Sequence, residues 1–74
     1  AAFLDRMAAL SPREADVLQG LVAGKPNKVI AFDLGISART VEVHRAHVMM
    51  KMNARSLSDL VRMSLIVEQG AGRT

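Results

Sequence analysis

The segment Ile30-Ala31-Phe32-Asp33-Leu34-Gly35-Ile36-Ser37-Ala38-Arg39-Thr40-Val41 decides the fold of this chain, because it sets the end of one helix and the start of another around a three-residue hinge. Gly35 stands where a helix ends in a left-handed residue, a conformation open to glycine because it lacks a Cβ. Ile36 then drops into the core as the chain reverses, and Ser37 offers its hydroxyl oxygen to the free N–H groups that open the next helix. The pattern is a helix-turn-helix. Such a unit holds its second helix at about 90–120° to the first, and in a basic chain a helix projecting in this way suits the major groove of DNA.

Working outward, the chain yields four or five helices and no strand. Phe3, Leu4, Met7 and Leu10 have helical spacing, so residues 2–9 form a short amphipathic lead-in. Ser11-Pro12-Arg13-Glu14 is a capping box with proline at the first helical position. Val17, Leu18, Leu21 and Val22 make one apolar stripe after it, and Gly24 stops the helix. Pro26 and Asn27 open the next helix, with Asn27 either its N-cap or a phosphate contact, and Ile30, Ala31 and Leu34 turn inward. Ser37 caps a longer helix that runs to about Met52, with Asn53 as a left-handed stop. Ser56-Leu57-Ser58-Asp59 forms a weaker capping box before a last helix ending near Glu68, and residues 70–74 form a mobile tail. The predicted architecture is all-α: a lead-in over residues 1–9 and a compact four-helix bundle over 10–69.

A chain of 74 residues, half of them hydrophobic, builds one small domain around one modest core. Without cysteines, disulfides and thiolate metal sites are excluded, and packing, caps or a partner subunit must stabilise the domain. No apolar run approaches the roughly 20 residues that span a bilayer, and the N-terminus lacks a charged-then-apolar signal arrangement. The expectation is a soluble cytoplasmic domain. The start Ala1-Ala2-Phe3, without an initiating Met, suggests a piece of a longer protein cut where a linker enters.

The formal net charge of +3 is unevenly spread. Residues 25–55 carry Lys25, Lys28, Arg39, Arg45, Lys51 and Arg55 against Asp33 and Glu42, a net of four positive charges. The flanks carry Arg6, Arg13, Arg62 and Arg73 against Asp5, Glu14, Asp16, Asp59 and Glu68, a net of one negative charge. The excess therefore sits on the helix-turn-helix, as a phosphate-binding surface requires.

At about 100° per residue, Val41, Val48 and Met52 fall in one sector of the third main helix, with His44 and Arg45 at its borders. Arg39, Glu42, Val43, Ala46 and Met50 lie opposite. Small and apolar side chains beside polar ones suit close approach to bases and contact with thymine methyl groups. Thr40, His47 and Lys51 share a third edge, where phosphates flanking the groove would lie. The competing reading is a small helical protein-interaction module with an incidental basic patch. An enzyme is excluded, since the chain offers neither a Ser/His/Asp nor a Cys/His constellation and no phosphate-cradling glycine loop.

Taken together, Leu10-Ser11-Pro12-Arg13-Glu14, Val17-Leu18, Gly24, Asn27-Lys28, Ile30-Ala31, Leu34, Ile36-Ser37, Thr40-Val41-Glu42-Val43-His44-Arg45 and Lys51-Met52 resemble the LuxR/FixJ (NarL-like) class of bacterial transcription regulators. The resemblance covers roughly residues 10–67, and Thr40 to Met52 looks closest to the FixJ branch, response regulators of symbiotic nitrogen fixation. It implies base contacts from Arg39, Glu42, Val43 and Ala46. Asn27, Lys28, Thr40 and Lys51 would address phosphates, with His47 beside them. It further implies a two-component activator acting on double-stranded DNA as a homodimer, with an N-terminal receiver domain and RNA polymerase as partners. In the last helix, Leu57, Val61, Ser64 and Leu65, with Leu60, Met63 and Val67, make an apolar sector wider than one packing face needs, the expected dimer surface. Many relatives carry a basic residue where this chain has Glu42, which either accepts from a cytosine amino group or orients Arg39.

Other residues have structural readings. His44 and His47, three apart on a helix, are not expected to bind metal, because no cysteine or suitably spaced carboxylate accompanies them. No cofactor is implied. Arg45 either pairs with an acid such as Glu14 or contacts DNA. Met49, Met50, Met52 and Met63 are read as gap-fillers.

Overall fold

The computed structural model describes residues 2–72, with side chains over residues 4–65. Its elements are α1 (Ala2–Ala8), α2 (Pro12–Val22), α3 (Asn27–Leu34), α4 (Ala38–Lys51) and α5 (Leu57–Gly72), with no strand among the described residues. The lead-in is thus a helix of its own, followed by the four expected.

Local chemistry accounts for most boundaries. Ser11 accepts the Glu14 N–H at 3.2 Å while the Glu14 carboxylate accepts the Ser11 N–H at 3.0 Å, so the first capping box is closed. Ser37 Oγ accepts the Thr40 N–H at 3.1 Å and opens α4. Three helices end in the left-handed residues expected of them, Gly24 at φ 80°, Gly35 at φ 68° and Asn53 at φ 55°. Each is followed by an N–H that reaches back five residues, Lys25 to Gly20, Ile36 to Ala31 and Ala54 to Met49, which satisfies carbonyls the helix would leave open.

Two boundaries differ from expectation. Pro26, with φ −70° and ψ 158°, is the cap residue of α3, and its carbonyl accepts the Ile30 N–H at 3.1 Å. Asn27 is therefore the first helical residue rather than the N-cap. Pro26 needs no partner for an N–H it lacks, which suits it to the helix entrance. At α5, Ser56 Oγ accepts the Asp59 N–H, but the Asp59 carboxylate passes Ser56 and accepts the Arg55 N–H at 3.2 Å. Helix α5 continues to Gly72, beyond the stop expected near Glu68; of the expected tail, residues 73–74 lie outside the described residues.

The core comprises Val17, Leu18 and Leu21 of α2, Ile30 and Ala31 of α3, Val41 and Val48 of α4, Met52, and Leu60 of α5. Met7, Leu10, Leu34, Ile36, Met49 and Leu57 pack at its margin. Helix α4 lies chiefly across α2 and α3, α5 closes on α2, and α1 rests on α5. Leu4, expected on the inner face of the lead-in, is half exposed, and the Phe3 side chain lies outside those described. Gly20 lets α2 and α3 approach: a Cβ there would stand 2.7 Å from Ile30 Cγ1.

Candidate nucleic-acid interface

Helix α4 is held by its inner residues. Val41, Val48 and Met52 are fully buried, and the far side of the helix carries Arg39, Glu42, Val43, Ala46 and Met50, all exposed. Met50 is 71 % exposed, so it fills no gap, unlike the buried Met52. Among the described residues, Arg39 and Glu42 pair neither with each other nor with another side chain. The outer face therefore presents a cation, an anion and three small or flexible apolar side chains, all available to a partner.

The five residues expected at phosphates are not equivalent. Lys28, near the start of α3, is exposed and has no ion pair among the described residues. Thr40 Oγ1 is hydrogen-bonded to Ser37 Oγ at 2.9 Å. Asn27 Oδ1 accepts from Arg45 Nη1 at 3.5 Å, tying the start of α3 to the middle of α4. His47 and Lys51 both turn toward Glu14 on α2, with His47 Nδ1 3.3 Å from Oε2 and Lys51 Nζ 2.7 Å from Oε1.

Glu14 is the hub that sequence analysis missed. It is the one buried charged residue among those described, at 5 % exposure. Lys51 donates to it, the Ser11 N–H donates to the same oxygen, and both favour the ionised form more than burial opposes it. Its pKa is lowered from 4.5 to about 2. Of the two readings of Arg45, the pairing with Glu14 is not made: Lys51 and His47 take that carboxylate, and Arg45 donates to Asn27. Positions 44, 47 and 51 follow one edge of α4 that faces α2, whereas Arg45 lies around the helix toward α3. The capping box was visible in the sequence, but it already accounted for Glu14 locally and gave no hint of Lys51.

In the sequence, His44 and His47 lack both a cysteine and a suitably spaced carboxylate, the ground for expecting no metal there. The fold supplies the carboxylate: a ligand atom from each of Glu14, His44 and His47 lies within 4.8 Å of the others. His44 Nδ1 is buried without a hydrogen-bond partner.

On α5, Leu60 is buried, while Leu57, Val61, Met63 and Ser64 are partly buried and Leu65 is 50 % exposed. Leu57 packs against the core, so Leu65 is the half-exposed apolar residue of the expected surface; the Val67 side chain lies outside those described. A second apolar surface was not foreseen. Phe32 is 86 % exposed on α3, with Val29 one turn before it. Among the described residues no helix is long and apolar enough to cross a membrane.

Comparison with known proteins matches residues 8–64 to the luxR family of bacterial regulatory proteins. The transcriptional regulatory protein FixJ of Rhizobium meliloti is 65% identical over 60 residues, which cover 81% of this chain and 29% of that protein. The solution structure of the C-terminal transcriptional activator domain of FixJ from Sinorhizobium meliloti matches with a TM-score of 0.75 at 62% identity, covering 85% of this chain and 80% of that one. Full-length FixJ from B. japonicum matches with a TM-score of 0.81 at 56% identity, covering 85% of this chain and 31% of that one. The chain thus spans less than a third of the length of the full-length relatives.

Proposed function

This chain belongs to the luxR family of bacterial regulatory proteins, a family of regulators rather than enzymes, and from that premise we propose that it binds double-stranded DNA sequence-specifically as the output domain of a two-component transcriptional regulator. The observation that carries this reading is the outer face of α4, where Arg39, Glu42, Val43 and Ala46 stand exposed on a helix whose opposite side is locked into the core. Placed in the major groove, Arg39 donates to guanine, Glu42 accepts from cytosine, and Val43 and Ala46 meet thymine methyl groups.

Lys28 supplies the phosphate contact that costs no internal pair. Lys51 remains a second, because an ammonium has three donors and Glu14 takes one. Asn27 and Thr40 address phosphates nearby, and His47 stands at the same edge. These contacts hold the domain on DNA without specifying sequence.

The full-length relatives are about three times as long as this chain, and the matching C-terminal domain of FixJ from Sinorhizobium meliloti is described as a transcriptional activator domain. In our reading the chain follows an N-terminal receiver, works in the cytoplasm as a homodimer through Val61, Ser64 and Leu65 of α5, with Leu57 behind them, and activates nitrogen-fixation genes in contact with RNA polymerase. Selection of bound sequences from a random duplex pool tests the central claim. A defined consensus, bound with an affinity that falls steeply with salt, is expected. Recovery of no consensus, or binding to a protein partner that persists in high salt, would favour an interaction module instead.

A further inference from the structure

We propose that Glu14, His44 and His47 form a binding site for a divalent transition-metal ion of the zinc class, clipping α4 to α2. Two imidazoles and one carboxylate are a donor set that zinc accepts, leaving a fourth position for water. Metal–ligand lengths of about 2.0–2.2 Å place the donors of a tetrahedral site about 3.4 Å apart. Glu14 Oε2 and His47 Nδ1 already stand 3.3 Å apart, which is wider than the roughly 2.7–2.9 Å of a charge-assisted hydrogen bond. All three donors fall within 4.8 Å of one another, so side-chain adjustment is what would bring them to tetrahedral spacing.

Two further features favour an ion there. His44 Nδ1 is buried without a partner, and a buried polar atom left so is costly unless something satisfies it. Lys51 does not block the site, because it is bound to Oε1, the oxygen that also takes the Ser11 N–H, and leaves Oε2 free on the His47 side. The nearby Lys51 ammonium opposes a dication and weakens the site. Since α4 carries the outer face described above, the clip would stiffen the seating of that helix on α2. His47 also stands at the phosphate edge of the proposed DNA interface, but the metal titration contains no DNA, so failure of the metal site and failure of DNA binding are distinguishable.

The test uses the untagged 74-residue chain, titrated with Zn2+ against a chromophoric zinc indicator, and with Co2+ as a spectroscopic substitute. One Zn2+ per chain, visible Co2+ bands of a four-coordinate site, and a thermal midpoint that rises with Zn2+ are expected. His47→Asn, at an exposed position, keeps the fold by circular dichroism and weakens Zn2+ by about tenfold or more; His44→Gln does the same. Because Glu14→Gln also removes the Lys51 pairing and can disturb folding, the His47 variant is decisive. Equal Zn2+ affinity in His47→Asn and the parent, or no one-to-one saturation in the parent, overturns the proposal.

Discussion

Glu14 shows how one residue can serve local and long-range structure at once. Its carboxylate closes the α2 capping box and also anchors α4 through Lys51. Because its folded pKa, about 2, lies below the ordinary 4.5, the ionised form favours the folded state. That contribution is fully present above pH 4.5 and fades as pH falls toward 2. Urea midpoints should therefore show a gap between the parent and Glu14→Gln that is wide near neutral pH and narrows through this window; a gap constant with pH would refute the assignment. Asp59, also held below its ordinary value by the Arg55 N–H and then by Arg62, titrates in both proteins and cancels in the comparison. Gly20 makes a second residue-scale case. Alanine is the better helix former by about 1 kcal/mol, but its methyl would press on buried Ile30, and overpacking costs about 1–3 kcal/mol. Gly20→Ala should lower the thermal midpoint, and a rise would mean that Ile30 yields readily.

Helix α4 divides its work by face, and substitutions should respect that division. Val43→Ala and Glu42→Gln should change affinity unequally among operator variants, by about 1–3 kcal/mol where the matching base is present. Lys28→Ala should weaken all sequences alike and make the dependence of log K on log salt shallower by about one unit. Gel-shift titrations over a panel of single-base variants at several salt concentrations separate the two patterns. If the Val43 and Glu42 changes acted uniformly while the Lys28 change altered base preference, the orientation of α4 would be wrong. Lys51→Ala is a poorer phosphate probe than sequence alone suggests, because it also leaves Glu14 buried without its cation.

At the scale of the whole molecule, the basic centre and the apolar edge of α5 lie on different elements, so DNA contact and self-association are separable. Leu65→Glu, at the half-exposed position, should reduce cooperative binding to a duplex with half-sites about 10 bp apart, while helicity and single-site affinity stay unchanged. Unchanged cooperativity would remove α5 as the dimer surface. Val61 is a less clean target, since it is partly buried within its own domain.

The helices and most of their ends were legible in the sequence because their causes are local. Ser11 with Glu14, Ser37 and the left-handed stops at Gly24, Gly35 and Asn53 act within a few residues of themselves. The inward and outward faces of α4 were legible for the same reason: helical periodicity alone separates Val41 and Val48 from Arg39 and Val43. Partners across helices were not legible. Whether Glu14 meets Arg45 or Lys51 depends on the rotation of α4 against α2, which the packing of Val17, Leu21, Val48 and Met52 decides. The grouping of Glu14 with His44 and His47, about thirty positions apart in the chain, has the same origin. Periodicity assigns a residue to a face, but only the packed core brings that face against a particular neighbour.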